Sequence, residues 1–231
     1  LFIAVKKAAR TARAKVVVCP PFPFLSLLAQ DAKTGKVSLG AQDVSAVKRA
    51  AHTGEVSARM LSSLSVRYAI IGHSERRAEG ETDEIVSAKV RGALESKIIP
   101  IVCVGERVRD GDARYFDELS RQIKGSLAGI SRKDAEKIVI AYEPLWAIGE
   151  HATASDTPGE TEEMALFVRK TLADMFGEKT ARAIPILYGG SVSEKNAKDF
   201  LLRGGVQGLL VGRASQTAKS FSAIIACVRS L

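Results

Sequence analysis

The sequence predicts an α/β fold of repeating strand–helix units around a parallel sheet. Two observations predict it. Short β-branched runs alternate with longer stretches of helical period. The chemically distinctive residues gather directly after the strand-like runs, where closed and open parallel sheets both place their ligands. A closed βα barrel needs eight strands and an open doubly wound sheet can have fewer, so the seven runs present leave both architectures standing. The first helix tilts the choice: Leu1, Val5, Ala8 and Ala12 form an apolar stripe ahead of the first run. In a repeating βα chain a helix follows a strand, so a strand is expected just upstream of Leu1.

The strand-like runs are Lys15 to Cys19, Val37 to Gln42, Arg67 to Gly72, Ile98 to Val104, Lys137 to Tyr142, Ile184 to Tyr188 and Val206 to Val211. Between and around them about eight helical stretches are expected. Val86, Val90, Ala93 and Leu94 share one helical face, as do Phe116, Leu119, Ile123 and Leu127, and again Phe221, Ile224, Ile225 and Val228. Thr157, Pro158 and Glu160 read as an N-cap, a first-position proline and a capping-box acid, and Gly177 suits the far end of that helix. No linker, repeat or composition shift divides residues 1–231, so a single domain is expected.

Composition narrows the function classes. The chain has 231 residues, of which 46% are hydrophobic and 26% charged, with a net charge of +8. The basic residues are scattered among nearly as many acids, which reads as a solvated surface with a bias toward anions and argues against nucleic acid. No apolar run approaches the roughly 18 residues of a membrane span. An odd cysteine count, with Cys19 and Cys103 inside apolar runs, suggests free thiols in a reducing, cytoplasmic compartment. Leu1 to Ala14 lacks the apolar stretch of a signal peptide.

Four strand tips carry the candidate chemistry. After Ile70-Ile71 comes Gly72-His73-Ser74-Glu75-Arg76-Arg77, a histidine at a strand end. It is either a structural residue in a solvated turn or, beside a helix N-terminus, a neutral imidazole that donates to a substrate oxygen. After Ala141-Tyr142 comes Glu143-Pro144-Leu145-Trp146-Ala147-Ile148-Gly149. Glu143 is placed to act as a base or to cap a helix, and the apolar loop behind it suits a lid that excludes water. Finally, Tyr188-Gly189-Gly190-Ser191-Val192 and Val211-Gly212-Arg213-Ala214-Ser215 follow the last two runs. Main-chain N–H groups opening helices bind anions, and two such loops at consecutive strand ends suit a phosphate.

In order and spacing, Ile71 to Arg77, Ala141 to Gly149 and Tyr188 to Val192 resemble the signature segments of the triosephosphate isomerase family, and Leu210 to Ser215 agrees with it. Gly40-Ala41-Gln42-Asp43, Thr53-Gly54-Glu55-Val56-Ser57 and Cys103-Val104-Gly105-Glu106 agree with it, so the resemblance runs from the first helix to the C-terminus. It implies a (β/α)8 TIM barrel that lacks its first β-strand in this chain. It also implies interconversion of dihydroxyacetone phosphate and D-glyceraldehyde 3-phosphate in glycolysis and gluconeogenesis, with no metal or organic cofactor. Glu143 would be the base, His73 the electrophile and Glu75 a supporting acid. The amides of Gly149, Ser191, Gly212 and Arg213 would hold the phosphate, with Pro144 to about Ala154 as lid. Thr53 falls in the family's dimer loop, which implies a homodimer.

Three departures stand against that pattern. The family's first strand ends in Asn-x-Lys, and no such tip precedes the first helix here, so residues 1–231 alone are expected to show little isomerase activity and poor solubility. Glu150-His151-Ala152-Thr153-Ala154 replaces the usual threonine, glycine and lysine after Gly149, and Arg213 stands where a second glycine is common. Two other readings remain: a phosphate-binding barrel acting on an indole- or ribose-type substrate, and a non-catalytic barrel kept for binding or assembly.

Overall fold

The computed structural model describes residues 1–47, 52–109, 111–148 and 156–228. Helix α1 (Phe2–Ala9) precedes β1 (Val16–Val18), which is followed by α2 (Phe22–Ala32) and β2 (Val37–Ala41). Next come α3 (Ala58–Ser63), β3 (Tyr68–Ile71), α4 (Ser74–Ala78) and α5 (Asp83–Glu95). Strand β4 (Ile99–Val104) leads to α6 (Tyr115–Ser126) and α7 (Arg132–Ala135). Then β5 (Val139–Tyr142) precedes a 3-10 turn at Leu145–Ala147, α8 (Pro158–Phe176) and α9 (Glu178–Ala183). Last are β6 (Ile186–Tyr188), α10 (Ala197–Arg203), β7 (Gly208–Leu209), a 3-10 turn at Arg213–Gln216 and α11 (Ala218–Cys227).

The seven strands form one parallel sheet in sequence order, β1 to β7. Consecutive neighbours throughout are the topology of a barrel wall and exclude the doubly wound alternative, whose strand order reverses at a switch point. Among the described residues β1 pairs only with β2 and β7 only with β6, so both are edge strands.

Eleven α-helices occur among the described residues, not the expected eight, because three crossovers hold two each: α4 with α5, α6 with α7, α8 with α9. Local chemistry divides them. Thr82 caps α5 by accepting from the Ile85 N–H, and Ser131 caps α7 by accepting from the Asp134 N–H. Gly177, at φ +84°, stops α8 in a backbone conformation that other residues rarely adopt. The expected capping box is formed: Thr157 accepts from the Glu160 N–H while Glu160 accepts from the Thr157 N–H.

Alternate residues along each strand serve different layers. Ile71, Val102, Val104, Ile140, Tyr142 and Ile186 join the main core, where Val86, Val90, Leu119, Ile123 and Val168 of the helices meet them. The opposite face holds Ile101, Cys103 and Ala141, with Tyr68, Ile70, Val139, Leu187 and Leu210 only partly buried against them. The helix side is therefore packed and the interior side is thin. Two expectations shift. Of the first expected stripe Val5 and Ala12 are buried, whereas Phe2 and Ala9 are buried in place of the exposed Leu1 and the half-buried Ala8. The final strand is Gly208–Leu209, shorter than Val206 to Val211, because an edge strand gains ladder bonds on one side only. Main-chain bonds from Gln207 to Ile186 and from Leu210 to Tyr188 flank that short pairing. None of the described helices is long and apolar enough to cross a membrane.

Candidate active site

The tips of β3 and β5 bring His73 and Glu143 together. Gly72 adopts φ +70°, turning the chain out of β3, and a Cβ there would lie 3.0 Å from the Val86 side chain. His73 then caps α4, its Nδ1 accepting from the Glu75 main-chain N–H at 3.3 Å. An accepting Nδ1 carries no proton, so the neutral ring has its N–H at Nε2. That Nε2 lies 3.1 Å from Glu143 Oε1.

Glu143 is almost wholly buried, at 1% exposure. Its Oε2 accepts from the Ser74 N–H at 3.0 Å, whereas Oε1 has no hydrogen-bond partner among the described residues despite the nearby imidazole. Burial pushes the Glu143 carboxyl above the usual carboxylate range, against the pull of His73, the Ser74 N–H and Cys103. Cys103, fully buried beneath the pair, is itself pushed well up by burial and by the Glu143 charge. A carboxylate held by one oxygen, with the other lacking a hydrogen-bond partner among the described residues, can accept a proton at the second.

Close backbone approach explains the glycines around it. A Cβ on Gly105 would meet the Glu143 carbonyl oxygen at 1.7 Å, so the tips of β4 and β5 can adjoin only with glycine there. Arg77, one α-helical turn after His73, locks the β3 tip from below. It donates to the Gly72 carbonyl at 2.8 Å, Asp83 at 2.7 Å, Ser126 at 3.0 Å and the Cys103 carbonyl at 3.3 Å.

The anion side lies across the same hollow. Ser191, Gly212 and Arg213 line one cavity with His73, Glu75 and Glu143, so six of the seven candidate site residues border a single space. The Ser191 hydroxyl donates to the Ala147 carbonyl at 2.9 Å, and Asn196 fixes the loop by donating to the Ser191 carbonyl at 2.8 Å. Gly212 and Arg213, both exposed, stand at the start of the 3-10 turn at Arg213–Gln216. Glu75 also lines the cavity, but its carboxylate is 87% exposed and 3.7 Å from His73 Nδ1, so its tight contact with the histidine is through the main chain. Gly149, Glu150, His151 and the lid from residue 149 to about 154 lie outside the described residues.

At about 2460 Å³ the cavity exceeds the roughly 300–1,000 Å³ of an ordinary ligand pocket. Its lining includes Val16 to Val18, Leu209 to Val211 and the interior residues Tyr68 and Ile101, so it continues from the tips of β3 and β5 down through the thinly filled interior.

Sequence reasoning named Glu106 only within a segment, yet it is a fully buried organiser. Its Oε1 accepts from Tyr142 Oη at 2.7 Å and Trp146 Nε1 at 2.8 Å, joining the loops after β4 and β5. A carboxylate directly after the β4 tip was the available signal. Asp156, just before α8, was also missed: it accepts from Thr161 Oγ1 at 2.7 Å and the Thr157 N–H at 2.8 Å. Burial pushes its carboxyl up against those bonds.

Comparison with known proteins agrees with this geometry. The family profile "Triosephosphate isomerase" matches residues 2–228. A triosephosphate isomerase of Thermus thermophilus is 46% identical over 228 residues, which are 97% of this chain and 90% of that protein. One of Moorella thermoacetica is 46% identical over 217 residues, 93% of this chain and 86% of that one. The crystal structure of triosephosphate isomerase from Bartonella henselae superposes with a TM-score of 0.86 at 33% identity, covering 99% of this chain and 92% of its own.

Proposed function

The chain belongs to the triosephosphate isomerase family, and from that premise we propose that it interconverts dihydroxyacetone phosphate and D-glyceraldehyde 3-phosphate through an enediolate. Glu143 removes a proton from the carbon beside the carbonyl, the C–H electron pair moves toward the oxygen, and His73 Nε2–H donates to the oxyanion that develops. Glu143 then returns the proton to the adjacent carbon. A carboxylate base paired with a neutral imidazole is the pattern already described for this family. Glu75 supports it by donating its main-chain N–H to Nδ1, which keeps the proton on the nitrogen that faces substrate. The amides of Ser191, Gly212 and Arg213, together with Gly149, hold the phosphate.

The observation that carries this reading is the buried Glu143 Oε1, which has no hydrogen-bond partner among the described residues and lies 3.1 Å from His73 Nε2. His73→Ala tests it, because removing a preorganised donor at an oxyanion typically costs about a hundred- to a thousand-fold in turnover. A coupled isomerisation assay comparing the variant with its parent reads that ratio whatever the absolute rate. A loss below about tenfold would leave the imidazole without the assigned part.

We also propose a homodimer through the loop that carries Thr53. Thr53 and Gly54 form an exposed turn with Gly54 at φ +85°, and Met60 on the following helix is 44% exposed. The exposed Phe22, Phe24 and Leu27 of α2 line the same hollow as Gly54 to Val56, leaving apolar surface near that loop for a second copy to cover. Light scattering should give twice the chain mass, and Thr53→Arg should shift it toward one chain; a monomeric parent excludes the dimer. A cytoplasmic setting suits the three free cysteines.

A further inference from the structure

Arg109 belongs to neither catalytic tip, yet it touches both ends of the segment that joins β5 to α8. On the β5 side its guanidinium carbon lies 5.2 Å from the Trp146 ring centre, and on its other flank 5.4 Å from that of Tyr115. Both distances fall within the roughly 6 Å over which a cation is held by an aromatic face. Its Nε approaches Glu106 Oε1 at 3.5 Å, the same oxygen that takes the Trp146 and Tyr142 hydrogens. On the α8 side its Nη2 donates to the Glu160 carbonyl at 3.3 Å, and Nη1 stands 3.8 Å from the Glu160 carboxylate and 3.7 Å from that of Glu163. Glu160 is the capping-box acid of α8. The Arg109 side chain is only 19% exposed.

One planar cation thus bridges the last turn before residue 149 and the first turn after residue 155. The β5-side turn also reaches the anion loop, because the Ala147 carbonyl accepts the Ser191 hydroxyl. Displacing Trp146 therefore displaces Ala147 and, through it, Ser191.

We infer that Arg109 is a positioning residue for the isomerisation, setting the separation of the roots at Trp146–Ala147 and Thr157–Glu160 between which the loop is strung. Its catalytic consequence rests on the isomerase reading; its structural one does not. A lysine would keep the charge but lose the plane that stacks on both rings and the fork that reaches both roots.

The test uses Arg109→Met and Arg109→Lys in the full chain. Arg182→Met, at an exposed ion-pairing arginine on α9, controls for loss of one positive charge. Trp146 is the chain's one tryptophan, so acrylamide quenching of its fluorescence reports directly on the β5-side root. Arg109→Met is expected to lower kcat/KM about tenfold, the worth of a partly desolvated cation–π contact, with KM rising as well as kcat falling. Quenching should increase in the folded protein, and a higher inorganic phosphate concentration should be needed to change the emission. Arg109→Lys should recover less than half of the loss, and Arg182→Met should match the parent.

Unchanged quenching in Arg109→Met overturns the inference, as does full recovery by Arg109→Lys or a kcat/KM within about twofold of the parent. If the parent itself fails to isomerise triose phosphates, the function reading falls, and the quenching comparison alone still decides whether Arg109 holds the root.

Discussion

Glu143→Gln is expected to lower turnover by about a hundred- to ten-thousand-fold, the contribution of a positioned general base, while the chain stays folded. The replacement is nearly isosteric and its amide oxygen can still accept the Ser74 N–H that now meets Oε2. What it removes is the capacity of Oε1 to take a proton, and that oxygen has no other hydrogen-bond partner to lose among the described residues. The same substitution should stabilise the protein near neutral pH. Burial raises the Glu143 carboxyl in the folded chain, so the native state gains stability as pH falls through that raised value and loses it as pH rises, when the side chain must be buried as an anion. Glutamine has no proton to release, so the stability gap in its favour should widen from the ordinary carboxylate range toward neutrality. The acid limb of kcat/KM in the parent should likewise lie above that range, since the base works only when ionised. Urea unfolding at several pH values and a coupled assay measure these effects. Turnover within tenfold of the parent, or a neutral-pH loss of stability, would remove Glu143 from the role of buried base.

Arg77→Met should reduce stability by about 3 kcal/mol, the low end of the roughly 3–5 kcal/mol that follows from breaking a buried ion pair. Asp83, 9% exposed in its side chain, would lose its inner partner at 2.7 Å and keep only Arg121 at 2.9 Å, which is itself two-thirds exposed. That remaining pair is why the low end applies. The carbonyls of Gly72 and Cys103 and the Ser126 hydroxyl would lose their donor as well. Because Gly72 precedes His73, turnover should fall along with the urea midpoint. A stability loss under about 1 kcal/mol would show that water replaces the arginine easily and that the β3 tip does not depend on it.

The features legible in the sequence are those whose physics is local or repeats along the chain. Thr157, Pro158, Glu160 and Gly177 marked both ends of α8 because a cap needs only its own turn and the preference of glycine for positive φ. The apolar stripes of α5 and α6 were readable from helical spacing alone, and so were the strand tips that carry His73 and Glu143. The start of α1 shows the limit: Phe2 and Leu1 are both apolar, and only packing against the neighbouring elements chooses which is buried.

Tertiary structure decided what depends on separate tips meeting. Cys103 reads as a buried thiol in sequence, but its place beneath the Glu143 carboxylate follows from the register of β4 with β5, which pairs Cys103 with Ala141. Glu75 reads as an acid beside a histidine, yet its main chain makes the closer contact, because capping turns the amide inward and sends the carboxylate to solvent. Arg109 left no signal, since Trp146 and Glu160 lie 37 and 51 residues further on and no periodicity spans such a distance. Sequence by itself determined which groups occur at which strand ends. Only the closing together of adjacent parallel strands determined which carboxylate oxygen lacks a hydrogen bond among the described residues and which cation joins Trp146 to Glu160, because those contacts come from packing across the sheet.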